Sequence, residues 1–512
     1  MRSDNTKIIL QSALLFASVT LTACGGGSEP PEPIAASASV PASAITSLGT
    51  DFYLTLPDHL CVSNPSSCNN MPVKNYLIVS ADAATNGEVT FNGVITPFAI
   101  AAGAESVITL DPAVVLTANE TVEAKGIHLT SQLPVSVHVV SENATSADGY
   151  LALPTPGLGT KYYVMSYASS RYSGSEFALV ATQNNTTVSI TPSAAGATKP
   201  VGVAFTVMLN SGETYQLVNP ANADMTGTFV TSDKPVAVFS GHRCADVPSG
   251  VGYCDYLVEQ VPDISLWGKT FHTAPFSGRS RYTVRVIASQ NGTTFTTIPA
   301  GMTSIVLNAG QFADVEMTGA SEFVSNNSVL MAQFMRGYDD EAVPANKKGD
   351  PSLVLVTPAE MGMTDATFGV HGLKGTNGAY MNVVTETAAL SNMKLDNVAV
   401  DSAQFMPFGG TSIYSIGSIP IATGAHSLSG TVPFSAFVYD YGISLNAVSY
   451  AYPVASRLSL PAAQVINPSP TDCETHLQED DHNLADSLEH QSRHSARNYH
   501  GDMDDDGYEC DK

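Results

Sequence analysis

The chain is predicted to be all-β, with four tandem units of about 100 residues and a short tail of different composition. Three recurring phrases carry that prediction. A glycine-centred turn appears as Ala-Ala-Gly-Ala-Glu-Ser-Val at 101–107, Asn-Ser-Gly-Glu-Thr-Tyr at 210–215, Asn-Ala-Gly-Gln-Phe at 308–312 and Phe-Gly-Gly-Thr-Ser-Ile-Tyr at 408–414. An apolar strand follows each, beginning at Leu129, Val230, Phe323 and Gly430. A strand, a polar turn and a second strand open each copy, from Tyr76, Phe177, Val284 and Tyr380. Such periodicity marks one supersecondary unit duplicated. No reactive side chain recurs within the phrases, so a binding or structural protein is expected before an enzyme.

At the N-terminus, Arg2 and Lys7 precede an apolar run that ends in small residues and is too short to span a bilayer with margin, the pattern of a secretory signal peptide over 1–23. Leu21-Thr22-Ala23-Cys24 resembles the lipobox of bacterial lipoproteins, in which the cysteine sulfur takes a diacylglycerol and becomes the new, acylated N-terminus. The resemblance implies lipidation at Cys24, and Gly25 in the following position implies delivery to the outer membrane of a two-membrane cell. Residues 24–47 are mostly Gly, Ser, Pro and Ala, which cannot bury enough apolar surface to fold, and read as a flexible linker. Six further cysteines fall in local pairs, Cys61 with Cys68, Cys244 with Cys254 and Cys473 with Cys510. An even number in an exported chain is read as disulfides, paired sequentially; a cysteine metal site is the alternative, and neither close pair is spaced CxxC.

Residues 48–460 hold short β-branched and aromatic runs punctuated by Asn-Gly, Asn-Asn and Ser-Gly turns, the chemistry of hairpins. In the second copy the strands are drawn at 177–183, 186–192, 203–209, 213–218, 226–231, 235–241 and 270–275. Seven antiparallel strands suit a β-sandwich unit, with a β-propeller as the alternative because its strand count and turn spacing are similar. Charged residues make up only 13% of the chain, and the formal charge of -25 with 22 Lys and Arg argues against a nucleic-acid ligand, which needs basic stripes.

Gly241-His242-Arg243-Cys244, then Cys254, Val258-Glu259-Gln260 with Pro262, Trp267-Gly268 and Phe271 occur in an order that resembles the N-terminal domain of the IgG Fc-binding protein family. Asp350-Pro351-Ser352-Leu353-Val354-Leu355-Val356-Thr357-Pro358 continues the likeness, which spans about 50–455. It implies extracellular binding of a protein or glycoprotein, with immunoglobulin Fc or a mucin-like partner among the candidates. No Fc-contacting residue is carried over.

Within this segment each conspicuous residue has a plain structural reading. His242 and Arg243 beside Cys244 could activate a thiol, but Cys254 makes a disulfide the expected partner. Trp267, the one tryptophan, is expected in the core. Tyr167, Tyr172, Tyr253 and Tyr256 would form a ligand platform if exposed, and strand packing is the competing reading. Asp339-Asp340-Glu341 reads as a solvated turn. There is no GxSxG, HExxH, Walker loop or dinucleotide fingerprint, so no catalytic residue is assigned.

After 461–472, read as a linker, the composition becomes acidic. Asp502-x-Asp504-x-Asp506-Gly507 places side-chain oxygens at positions 1, 3 and 5 of a tight loop with Gly at 6, the front half of an EF-hand, where position 7 gives the Tyr508 carbonyl. With Cys510 and Asp511 following, 473–512 resembles the Excalibur extracellular calcium-binding region, and Cys473 stands as its partner cysteine. Ca²⁺ held by Asp502, Asp504, Asp506, Tyr508 and Asp511 is expected in a small helical tail. His490 and His494 are spaced for one helix face, without a third metal ligand at clear spacing. The expectation is a lipid-anchored bacterial cell-surface adhesion protein; the alternatives are a self-associating envelope or matrix component and, behind it, an envelope hydrolase.

Overall fold

The computed structural model describes residues 44–459, apart from 299–303, 341–347, 374, 377, 410–412 and 443–447. Cys24, the pair Cys473 and Cys510, the calcium-loop residues Asp502, Asp504, Asp506, Tyr508 and Asp511, and His490 and His494 lie outside the described residues. From Ala44 onward the described residues belong to one compact unit. It is all-β with a few short helical turns, and among the described residues no helix is long and apolar enough to cross a membrane.

The architecture follows from long strands that each serve two sheets. Ile127–Glu142 lies between Gly49–Leu54 and Thr85–Phe91 along its first half, and between Lys74–Ala81 and Ala147–Leu151 along its second. Val94–Ile100 and Ala104–Thr109 extend the two sheets outward. Ser321–Met335 is flanked first by Gly268–Thr273 and Thr293–Ile298, then by Tyr282–Ala288 and Ser352–Leu355. Gly424–Tyr441 is flanked first by Met363–Val370 and Lys394–Leu395, then by Ala379–Glu386 and Ser449–Pro453.

In the stretch between the first two, the long strand is interrupted. Phe229–Ser232 lies between Lys161–Tyr163 and Thr186–Thr191, and Val236–Ala245 lies between Ser175–Ala181 and Asp255–Val261. Pro235 sits in the break, where a residue without an N–H cannot extend the ladder. Pro134 and Pro433 sit at the equivalent midpoints of two uninterrupted long strands, and both strands shift register there: Gly49 faces Val135 while Asp51 faces Thr130, and Met363 faces Phe434 while Asp365 faces Ser429.

Six of the seven strands drawn for 177–275 are found within a few residues of their expected limits. The seventh, Gly268–Thr273, is reassigned because it pairs with Ser321–Met335 and so belongs to the following pair of sheets. Asp255–Val261 takes the last place in the earlier pair.

The four strands Ala147–Leu151, Asp255–Val261, Ser352–Leu355 and Ser449–Pro453 pack around one another in cyclic order. The apolar cores follow the same cycle. Phe52, Leu77 and Val137 share a core with Phe239 and Val258 of the next stretch; Phe177 and Val238 share one with Phe334 and Leu353; Phe271 and Val284 share one with Tyr439 and Ala451; Met381 and Val438 share one with Ile78 and Val140 of the first. The ends of the described chain meet: Ser47 N–H donates to the Ser456 carbonyl at 2.8 Å, and Leu458 N–H to the Ile45 carbonyl at 2.7 Å.

Candidate functional site

An inner strand has a free edge, and its amides must find partners once water is excluded. Carboxylates provide them here. Asp148 is fully buried; its Oδ2 accepts from Val258 N–H and Leu353 N–H, both at 3.1 Å, and its Oδ1 from Ala451 N–H at 3.2 Å, so one side chain ties together the other three inner strands. Asp255 accepts from Ala147 N–H at 2.8 Å and Ser449 N–H at 3.1 Å. At the opposite ends of these strands Glu259 accepts from Leu355 N–H at 3.0 Å and Gln260 from Leu153 N–H at 2.8 Å. Burial pushes the Asp148, Asp255 and Glu259 carboxyls well above the usual carboxylate range, against the pull of the amides and, at Asp255, of the Ser146 hydroxyl.

The loops leading into the first three inner strands enclose an open depression of ≈ 470 Å³. Both disulfides among the described residues reach it. Cys61–Cys68 comes from the first stretch and Cys244–Cys254 from the second, and Thr145, Ser146, Arg171, Tyr172, Tyr253, Asp339 and Asp350 are also in its lining.

Its walls are held by buried polar contacts. Arg243 bridges the two disulfide loops, with Nε 3.1 Å from Asp58 Oδ2 and a guanidinium N–H donated to Ser63 Oγ at 2.6 Å. Asp58 is raised to about 6 because burial outweighs the nearby guanidinium. Asp246 clamps a second pair of loops: it accepts from Ser169 Oγ, from Ser170 N–H at 3.1 Å and Oγ at 2.9 Å, and from Gly250 N–H at 2.5 Å. Burial opposes ionisation of Asp246, but these donors hold its carboxyl below the usual range. Gly337 N–H donates to the Val247 carbonyl at 2.6 Å, which brings in the third loop.

The four singled-out tyrosines divide evenly. Tyr167, at 5% exposure, packs on Phe334 with Arg285 over its ring at 4.5 Å; Tyr256, at 1%, donates its hydroxyl to the Pro57 carbonyl and stacks on His59. Both are core. Tyr172 at 39% and Tyr253 at 40% are exposed and share the depression. Tyr253 has φ 67°, a left-handed backbone rarely adopted by aromatic residues, and its ring meets Tyr338 edge-on at 5.3 Å. Tyr338 escaped attention in the sequence because it sits in no recurring phrase, and Asp350 appeared there only as the first residue of the family-like phrase at 350–358.

The activated-thiol reading of His242 fails on geometry. Cys244 is bonded to Cys254, and buried His242 has its Nδ1 accepting from Cys244 N–H at 2.9 Å, with burial lowering its pKa to about 3. Gly241 is required beside it, because a Cβ there would stand 1.7 Å from the Leu257 carbonyl oxygen. Trp267 is core at 3% exposure and donates Nε1–H to the Pro262 carbonyl at 3.2 Å.

The solvated-turn expectation for Asp339-Asp340-Glu341 is corrected at Asp340. That residue is buried and paired with Arg336 at 2.6 Å and Arg281 at 2.8 Å, because the turn folds back onto the end of Ser321–Met335. Glu341 lies outside the described residues. Among the described residues no group of three or more His, Cys, Asp or Glu is arranged to hold a metal ion.

A sequence model of the family described as IgGFc binding protein matches residues 148–439, from the inner strand that carries Asp148 into Gly424–Tyr441. The match is narrower than the 50–455 expected from the motifs. The human protein named IgGFc-binding protein is 28% identical over 276 residues, covering 53% of this chain and 5% of its own length. A solved structure titled "Ca2+-stabilized adhesin helps an Antarctic bacterium reach out and bind ice" is 10% identical over 80% of this chain and 98% of its own, with a TM-score of 0.11, too low to bear on fold or function.

Proposed function

The chain belongs to the IgGFc-binding protein family, and from that premise we propose that it is an extracellular adhesion protein that takes a protein or glycoprotein partner at the depression. The observation that carries this reading is that exposed Tyr172 and Tyr253 share the depression, Tyr253 inside the Cys244–Cys254 loop and the Tyr172 loop tied to it by Ser170 hydrogen bonds to Asp246. Rigid loops presenting tyrosine lose little entropy on binding, and tyrosine offers both apolar area and a hydroxyl. The name of the human relative is that of a binding protein, which favours binding over catalysis; because the match covers 5% of that protein, its own partner comes to this chain only as a candidate.

Four copies of one two-sheet unit arranged around the inner strands is the reading of the fold that the recurring strand order supports, a ring of sandwich-like units. Lipidation at Cys24, outer-membrane location and Ca²⁺ binding by Asp502, Asp504, Asp506, Tyr508 and Asp511 complete the proposal and rest on the sequence motifs. Saturable binding to immobilised immunoglobulin Fc or mucin glycoprotein, reduced about tenfold or more in a folded Tyr172→Ala/Tyr253→Ala variant, is the expected result. Equal binding by parent and variant removes the depression from the reading.

A further inference from the structure

We propose that the depression receives a basic side chain of the partner, arginine in preference to lysine, seated against Tyr172 and Tyr253 with its charge directed to Asp350; this rests on the depression being the binding face. Asp350 sets the argument. It lines the depression at 1% exposure, and its Oδ1 has no hydrogen-bond partner among the described residues. A buried carboxyl oxygen without a donor costs stability, and one that lines an open depression can take its donor from a bound group. Burial and the nearby Asp255 push the Asp350 carboxyl well above the usual range, against the pull of Arg279 and the Tyr338 amide, whereas Asp148 and Asp255 accept from inner-strand amides.

The surroundings fit a cation and reject an anion. Asp339 adds a second carboxylate to the lining, and Arg171, the lining's one basic residue among the described residues, is exposed. The chain as a whole carries a formal charge of -25, which attracts a basic partner over distance. The aromatic faces decide between the two basic side chains. A planar guanidinium stacks on tyrosine while presenting several N–H donors in one plane, whereas an ammonium is a strongly hydrated point charge. Tyr253 is held for such a role by its bonded neighbour Cys254 and by the edge contact with Tyr338.

The test uses the full chain and two small probes, N-acetyl-arginine amide and its neutral isostere N-acetyl-citrulline amide, by calorimetry or chemical-shift titration. The expected result is saturable millimolar binding of the arginine compound, at least about tenfold weaker binding of citrulline, and loss of about fivefold or more in Asp350→Asn and in Tyr253→Ala. Tyr253 is exposed, so its variant keeps the proposal testable should Asp350→Asn fold poorly. Equal binding of the two probes, no binding of arginine at millimolar concentration, or unchanged affinity in both variants overturns the proposal. If Fc or mucin binding depends on Tyr172 and Tyr253 while arginine fails, this inference falls and the binding-face reading stands; if neither partner nor probe binds, both fall.

Discussion

Replacing Asp148 with alanine should destabilise the whole compact unit rather than one part of it. The carboxylate satisfies three amides, those of Val258, Leu353 and Ala451, at 3.1, 3.1 and 3.2 Å, and each lies on a different inner strand. A buried donor left unpaired costs about 1–3 kcal/mol, so three cost about 3–9 kcal/mol; removal of a buried carboxyl returns part of that, leaving an expected net loss of about 3 kcal/mol or more. This is a large share of the roughly 5–15 kcal/mol by which folded domains are stable. Asp148→Asn keeps one oxygen for two amides and turns an NH₂ toward the third, so it should lose about 1–2 kcal/mol. Urea unfolding followed by far-UV circular dichroism and by fluorescence of the single tryptophan, Trp267, measures both quantities. The probes should agree on one transition in the parent, since the strands share one capping side chain. An Asp148→Ala protein within about 1 kcal/mol of the parent would refute the reasoning, because water or relaxation would then be replacing the carboxylate.

Three further outcomes follow from the same geometry. Arg285→Met should cost about 3–5 kcal/mol in urea unfolding, since Arg285 is buried among Tyr167, Phe312 and Phe334 and pairs with Asp224 and Asp314, both at 2.7 Å; an unchanged midpoint would show that the pairs are dispensable. Replacing Cys244 and Cys254 together by serine opens a link across 10 residues and should cost about 2–3 kcal/mol, with weaker partner binding because the Tyr253 loop loses its clamp; retention of full affinity would detach the loop from the site. His242 has a folded pKa lowered to about 3 from an ordinary 6.5, so its neutral form stabilises the fold above pH 6.5 and that contribution is lost as pH falls toward 3. His242→Gln should therefore flatten the acid-side fall in stability by up to about 1.4 kcal/mol per pH unit across that window, and an unaltered slope would place the lost proton elsewhere.

Much of the strand pattern was legible because its turn and strand phrases recur in the sequence. Turn phrases such as Asn-Ser-Gly-Glu mark strand ends that the structure keeps, although Phe205–Leu209 and Thr214–Val218 on either side of it pair in different sheets and form no hairpin, and Gly241 of the family-like phrase stands where the Leu257 backbone approaches closely. What escaped was long-range. Gly268–Thr273 pairs with a strand some fifty residues further on, and no local signal says which sheet it joins. Asp148, Asp255 and Glu259 read as ordinary strand polarity, since their roles depend on amides brought from other stretches. The candidate site was half visible: Tyr172 and Tyr253 stood out as types, but only their exposure separates them from buried Tyr167 and Tyr256, and Asp350 gains meaning from an oxygen left without a donor.

The central claim, that the disulfide-bound depression is the binding face, is tested most directly by hydrogen exchange on the full chain with and without a saturating partner, immunoglobulin Fc or mucin glycoprotein. Slowed exchange at 60–68, 143–146, 169–174 and 246–254 is the predicted footprint. Protection confined to the outer edge strands Val94–Ile100, Phe205–Leu209 and Ile305–Leu307, with those loops unchanged, would contradict the account.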